Sequence, residues 1–136
     1  KIIQIFGTWC PNCRDETNFL KDYLNNNKHT DLEVVALAFE KHREIDKATA
    51  SVKRYKNKLK LPYEILIAGY SDKKEAAQSL PMLNHILSFP TMIFIDKNDK
   101  VTKIHTGFNG PATSEFENFK KEFKLSVQEI LVGNVN

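Results

Sequence analysis

Residues 32–39, Leu-Glu-Val-Val-Ala-Leu-Ala-Phe, form a nearly continuous apolar run. A strand that is apolar on both faces has to be covered on both, which is the situation of a strand inside a parallel sheet with helices above and below. The neighbouring segments agree. Residues 2–6 are a short β-branched and aromatic run that Gly7 ends, the pattern of another buried strand. Between the two, Pro11 suits the first turn of a helix, and Phe19, Leu20, Tyr23 and Leu24 recur at helical spacing up to the polar run 25–27. A helix over 11–26 follows, and with it a β-α-β unit.

Beyond this unit, Ala48, Val52, Tyr55 and Leu59 make one stripe of a helix over 46–60. Residues 63–68 suit a short strand, and Asp72 with Glu75 gives a capping signal for a helix over Ala76, Ala77 and Leu80 that Pro81 ends or kinks. Residues 91–95 and 101–106 read as strands, and the five polar residues between them suit an antiparallel hairpin. Ser114 and Glu117 predict a capping box for a last helix that buries Phe116, Phe119, Phe123, Val127 and Ile130. The sum is an α/β fold: a three-layer α/β/α sandwich with a mixed central sheet, closed by a C-terminal antiparallel hairpin and helix. With no repeat or linker, all 136 residues are expected to form a single domain, large enough to bury a full core without disulfide staples.

Twenty Lys and Arg against seventeen Asp and Glu leave a net charge of +3, which argues against a nucleic-acid ligand. The basic residues Lys53, Arg54, Lys56, Lys58 and Lys60 alternate around an apolar stripe and read as a solvated face. No apolar run approaches the roughly 20 residues that a membrane-crossing helix needs. The sequence opens with Lys-Ile-Ile, already inside a strand pattern, so the true N-terminus is expected to lie upstream, with room for a signal peptide or an anchor.

Cys10 and Cys13 are the only cysteines, set as Trp9-Cys10-Pro11-Asn12-Cys13 where the first strand gives way to the first helix. Random placement of two cysteines gives this spacing in roughly 1.4% of cases, so chance explains it poorly. Helical side chains three apart sit about 5–6 Å from each other at Cβ, whereas a disulfide wants about 3.8 Å. Cys10 is therefore expected at the non-helical cap, with Pro11 opening the helix. A sulfur there faces unpaired N–H groups and the positive end of the helix dipole, both of which favour the thiolate. Cys10 is thus the candidate nucleophile. Cys13, one turn deeper and more buried, is the candidate for resolving a mixed disulfide. Inert buried thiols and a zinc site are the other readings of the pair. Zinc wants four ligands, and His29, His42, His85 and His105 are scattered, so neither a metal nor a cofactor is expected.

Three segments together resemble the thioredoxin superfamily, and within it the bacterial TlpA-like, ResA-type thiol-disulfide reductases. They are Phe6-Gly7-Thr8-Trp9-Cys10-Pro11-Asn12-Cys13-Arg14-Asp15-Glu16, then Phe89-Pro90-Thr91-Met92-Ile93-Phe94-Ile95-Asp96, then Gly107-Phe108. The resemblance implies a thioredoxin-like sandwich and a cis Phe89–Pro90 bond facing the Cys10 sulfur. It also implies a substrate surface made by Trp9, Pro11, Asn12, Phe89 and Pro90. Glu16 matches the glutamate that these reductases carry three residues after the second cysteine, whereas the position that holds a buried aspartate in thioredoxin is Gln4. Glu16 then has two readings. It is a desolvated carboxylate that takes the Cys13 proton, or an exposed first-turn acid favoured by the helix dipole.

The resemblance further implies a monomeric enzyme that reduces disulfides of oxidised proteins outside the cytoplasm, in the periplasm or a similar compartment. A membrane thiol-disulfide electron donor would recharge it. Pro11-Asn12 departs from the Gly-Pro of thioredoxin and leaves the direction of electron flow open. The stretch 41–81 is longer than a minimal thioredoxin connection, and residues 81–85 could form a lip that selects the partner. Two rivals use the same fold. A peroxiredoxin-like peroxidase carries a Thr three residues before its cysteine, whereas Thr8 stands two before Cys10; a copper metallochaperone usually separates its cysteines by three residues and adds a His.

Overall fold

In a computed structural model the chain is described over residues 1–28, 31–72 and 88–132. The elements run β1 (Ile2–Phe6), α1 (Pro11–Asn26), β2 (Val34–Glu40), α2 (Ile45–Leu59), β3 (Glu64–Tyr70), β4 (Thr91–Ile95), β5 (Val101–Thr106) and α3 (Phe116–Val132). The helix anticipated over Ala76, Ala77 and Leu80, and the segment 81–85, lie outside the described residues.

The five strands form one sheet in the order β3-β2-β1-β4-β5. β1 pairs parallel with β2, and β2 with β3, so each pair needs a crossover, which α1 and α2 supply. β4 returns antiparallel beside β1, and β5 beside β4. The β4–β5 hairpin is tied at its tip by Asp96, whose Oδ1 accepts from the N–H groups of Asn98 and Lys100.

β1 is the central strand, and its period-two alternation divides the core. Ile2 and Phe6 join Ala36, Ala38, Met92 and Phe94 on one face. Ile5 joins Phe39 and Ile93 on the other. All three described helices feed the first face: Leu20 from α1, Val52 from α2, and Phe119, Phe123, Val127 and Ile130 from α3. Phe19 of α1 locks onto α3, meeting Phe119 and Phe123 nearly edge-on at 5.2 and 4.9 Å. Such pairs each add about 0.5–1.5 kcal/mol beyond their buried area.

Two local expectations are corrected. The Phe119 N–H donates to the Glu115 carbonyl, so Glu115 rather than Ser114 is the cap of α3. Ser114 is taken into a turn closed by the Phe116 N–H on the Thr113 carbonyl, and this delays the helix by one residue. Phe116, at the helix's first position, is half-buried rather than buried.

Candidate active site

The end of β1 delivers the chain to the cysteines through a tight turn in which the Cys10 N–H donates to the Gly7 carbonyl. Gly7 is required by close approach: a Cβ there would lie 2.1 Å from Trp9 Nε1. Cys10 is the N-cap of α1, with an extended backbone (φ −97°, ψ 112°), and its Sγ accepts from the Cys13 N–H at 3.2 Å. Pro11 follows at the first helical position, where its missing N–H leaves nothing unsatisfied. Cys10 and Cys13 are joined in a disulfide, their Cα atoms 5.2 Å apart. Cys10 is 6% exposed and Cys13 is fully buried, while Pro11 and Asn12 between them are exposed. Once the disulfide opens, the N–H and the helix dipole at the cap favour a Cys10 thiolate.

A second segment meets the first at this point. The Phe89–Pro90 peptide bond is cis, and the Phe89 carbonyl oxygen lies 3.8 Å from Cys10 Sγ. Trp9 stands edge-on to Phe89 at 5.4 Å, half-buried, and its indole N–H donates to the Phe39 carbonyl at 2.8 Å. Pro90 is buried, and its own carbonyl accepts from the Gly107 N–H at 2.7 Å. Cys10, Trp9, Phe89 and Pro90 are thus brought together from two loops at one end of the sheet.

Glu16 lies one turn past Cys13 on the buried face of α1, with Thr17 and Leu20. It is fully buried, which removes the alternative of an exposed first-turn acid. Gln4 Nε2 donates to Glu16 Oε1 at 3.2 Å, while Oε2 has no hydrogen-bond partner among the described residues. Burial, opposed only by the Gln4 hydrogen bond, pushes the Glu16 carboxyl up to about 8. In the oxidised protein burial therefore favours the protonated form of Glu16. Gln4 belongs to a wider buried network: it donates also to Thr17 Oγ1 at 3.1 Å, and its oxygen accepts from the Tyr63 hydroxyl at 3.1 Å. The Tyr55 hydroxyl donates to Thr17 Oγ1 at 3.2 Å.

Sequence reasoning passed over Glu40. This carboxylate closes β2, is 1% exposed, and accepts from the Thr8 N–H at 2.9 Å and from the Thr8 hydroxyl. Phe39, Glu40 and Lys41 together grip the loop before Cys10, since Lys41 Nζ also lies 4.9 Å from the Trp9 ring centre. The Thr8 hydroxyl is committed to this anchor. Gln4 and Tyr63 were likewise unassigned. A polar residue in the middle of the apolar run 2–6 was the available signal for Gln4.

Among the described residues no three of His, Cys, Asp and Glu converge as a metal site would need. A cavity of about 550 Å³ opens at the far end of β2, between Leu24, Leu32, Val34, Leu61 and Tyr63, away from the cysteines. Among the described residues no helix is long and apolar enough to cross a membrane.

A mixed sheet in this order with three helices is a thioredoxin-like α/β fold, and here it presents a Cys-x-x-Cys disulfide at a helix cap. The chain belongs to the redoxin family, whose profile matches residues 1–123. Its fold is similar to that of a thioredoxin-family thiol:disulfide interchange protein from Chlorobium tepidum TLS (TM-score 0.64, 21% identity, covering 93% of this chain and 78% of that one). A thiol-disulfide isomerase from Corynebacterium glutamicum is also similar (TM-score 0.71, 9% identity, 98% and 80% covered). So is a secreted disulfide oxidoreductase from Mycobacterium tuberculosis (TM-score 0.62, 13% identity, 93% and 78% covered). No curated protein matches the sequence.

Proposed function

We propose that residues 1–136 act as one TlpA-like, ResA-type domain that reduces disulfides of oxidised proteins outside the cytoplasm, working as a monomer recharged by a membrane thiol-disulfide donor. The observation that carries the reading is the placement of a Cys10–Cys13 pair at a helix cap, beside the cis Phe89–Pro90 bond and above a buried, unpaired Glu16 oxygen. The secreted neighbour of the same fold supports the compartment.

In the reduced protein the Cys10 thiolate attacks one sulfur of the substrate disulfide. That bond breaks, one substrate thiolate leaves, and a mixed disulfide forms. Cys13 then gives its proton to the Glu16 carboxylate and attacks Cys10 Sγ, which releases the second substrate thiolate. The substrate has gained two electrons, and the protein is left with a Cys10–Cys13 disulfide and a protonated Glu16. This is the protonation that burial favours in the oxidised form. Trp9, Pro11, Asn12 and Phe89 surround Cys10 as the surface on which the substrate segment lies, with Pro90, itself buried, fixing the turn at Phe89 and the Phe89 carbonyl beside the reacting sulfur.

A Cys13→Ala variant incubated with oxidised insulin is expected to accumulate a mixed disulfide through Cys10, identifiable by mass spectrometry, and Cys10→Ala to accumulate none. Absence of any adduct on Cys13→Ala would overturn the proposal.

A further inference from the structure

The side-chain amide of Gln4 is fully committed. Its oxygen accepts from the Tyr63 hydroxyl, and its nitrogen donates to Glu16 Oε1 and Thr17 Oγ1. Two features favour this orientation of the amide. Thr17 Oγ1 accepts from both the Tyr55 hydroxyl and Gln4 Nε2, which fills the two lone pairs of the hydroxyl oxygen. Tyr63 has a single proton to donate, and burial pushes its ionisation upward, so that proton stays available to Gln4 throughout the working range of pH. The five residues come from β1, α1, α2 and the segment ahead of β3, and so they are fixed by the fold as a whole.

We propose that Gln4 is a positioning residue that acts through Glu16: Tyr63 and Thr17 lock its amide so that the NH2 group, and not the oxygen, always meets the carboxylate. The inference rests on the reading of Glu16 as the acceptor of the Cys13 proton. An N–H donor at Oε1 is a partner for the carboxylate form, whereas a carbonyl oxygen in the same place could be met only by the protonated acid. Gln4 thereby holds in check the burial that drives Glu16 toward its neutral form, and it leaves Oε2 as the oxygen that takes the proton. The titratable groups around this site are Cys13 on α1, Tyr55 from α2 and Tyr63 ahead of β3. Arg14 and Glu40 act on Tyr55, and Glu16 itself is governed by burial and by Gln4.

Removing the Tyr63 hydroxyl frees the amide to turn, and removing the Gln4 amide takes the donor away. The test follows the infrared carbonyl band of protonated Glu16, assigned by its loss in Glu16→Gln, as the oxidised protein is titrated. Tyr63→Phe and Gln4→Met are both compared with the native chain. Each is expected to raise the midpoint by roughly one pH unit, the size of a lost hydrogen bond to a charged group. That shift leaves about tenfold less carboxylate at neutral pH and slows resolution of a mixed disulfide to match, with the rate recovering at higher pH and the first attack by Cys10 unchanged. Tyr63→Phe removes one oxygen without changing the ring and keeps the test valid if Gln4→Met fails to fold. An unmoved midpoint in folded Tyr63→Phe overturns the inference. A raised midpoint with an unchanged resolution rate upholds the hold of Gln4 on Glu16 and instead overturns the proton-accepting role of Glu16.

Discussion

Glu16→Gln is the most informative single change, because glutamine reproduces the shape of the protonated acid and keeps an oxygen for Gln4 while removing the ability to ionise. Burial raises the folded-state value from the ordinary 4.5 to about 8. The folded chain therefore binds more protons than the unfolded one between these two values, and stability must fall as pH rises through that window. The contribution is complete below about 4.5 and is lost by the time pH passes 8. At about 1.4 kcal/mol for each pH unit, the loss reaches on the order of 5 kcal/mol, a large share of the roughly 5–15 kcal/mol that holds a domain together. Urea unfolding of the oxidised native and Glu16→Gln proteins at pH 5, 6.5 and 8, followed by circular dichroism, measures it. The variant should be close to native stability at pH 5 and should gain on it steadily, to several kcal/mol by pH 8. Stability curves that run parallel from pH 5 to pH 8 would refute the argument, because they would mean that Glu16 ionises in the folded protein as it does in the unfolded chain.

Two further changes probe the loop before Cys10. Gly7→Ala forces Trp9 off the position from which it donates to Phe39, and it should cost about 1–3 kcal/mol, as overpacking does. Trp9 is the only tryptophan, so a shift in its fluorescence emission reports the displacement directly, and an unchanged spectrum would count against it. Glu40→Ala strands the Thr8 N–H and hydroxyl and should lower stability by about 1–3 kcal/mol in denaturant titration. A loss below about 0.5 kcal/mol, the level of an ordinary surface substitution, would mean that these hydrogen bonds do not hold the loop.

The elements set by local rules were readable. Helix 11–26 and strands 91–95 and 101–106 stand where Pro11, apolar periodicity and the polar tip placed them. The burial of Glu16 was half-readable. The stripe read forward from Phe19 and Leu20 continues backward through Thr17, Glu16 and Cys13 at helical spacing, and this is the buried face of α1. A stripe containing Cys, Glu and Thr does not look apolar, so its inward face was left undecided. Glu40 and Tyr63 were harder still. Tyr63 reaches Gln4 across fifty-nine residues and Glu40 reaches Thr8 across thirty-two, and nothing in local composition encodes such a meeting. Ser114 shows the opposite failure, a sound capping pattern overridden by the turn beside it.

The grip of Phe39, Glu40 and Lys41 on Thr8 and Trp9 ends where Cys10 begins, and Pro11 and Asn12 beyond it stand in the open. Cys10 is thus a frontier between an anchored loop and the exposed first turn of a helix. The dipeptide between the cysteines can be exchanged by mutation without loosening the moorings, so descendants of this chain could drift in redox character while Trp9 and the cis Phe89–Pro90 segment keep their places.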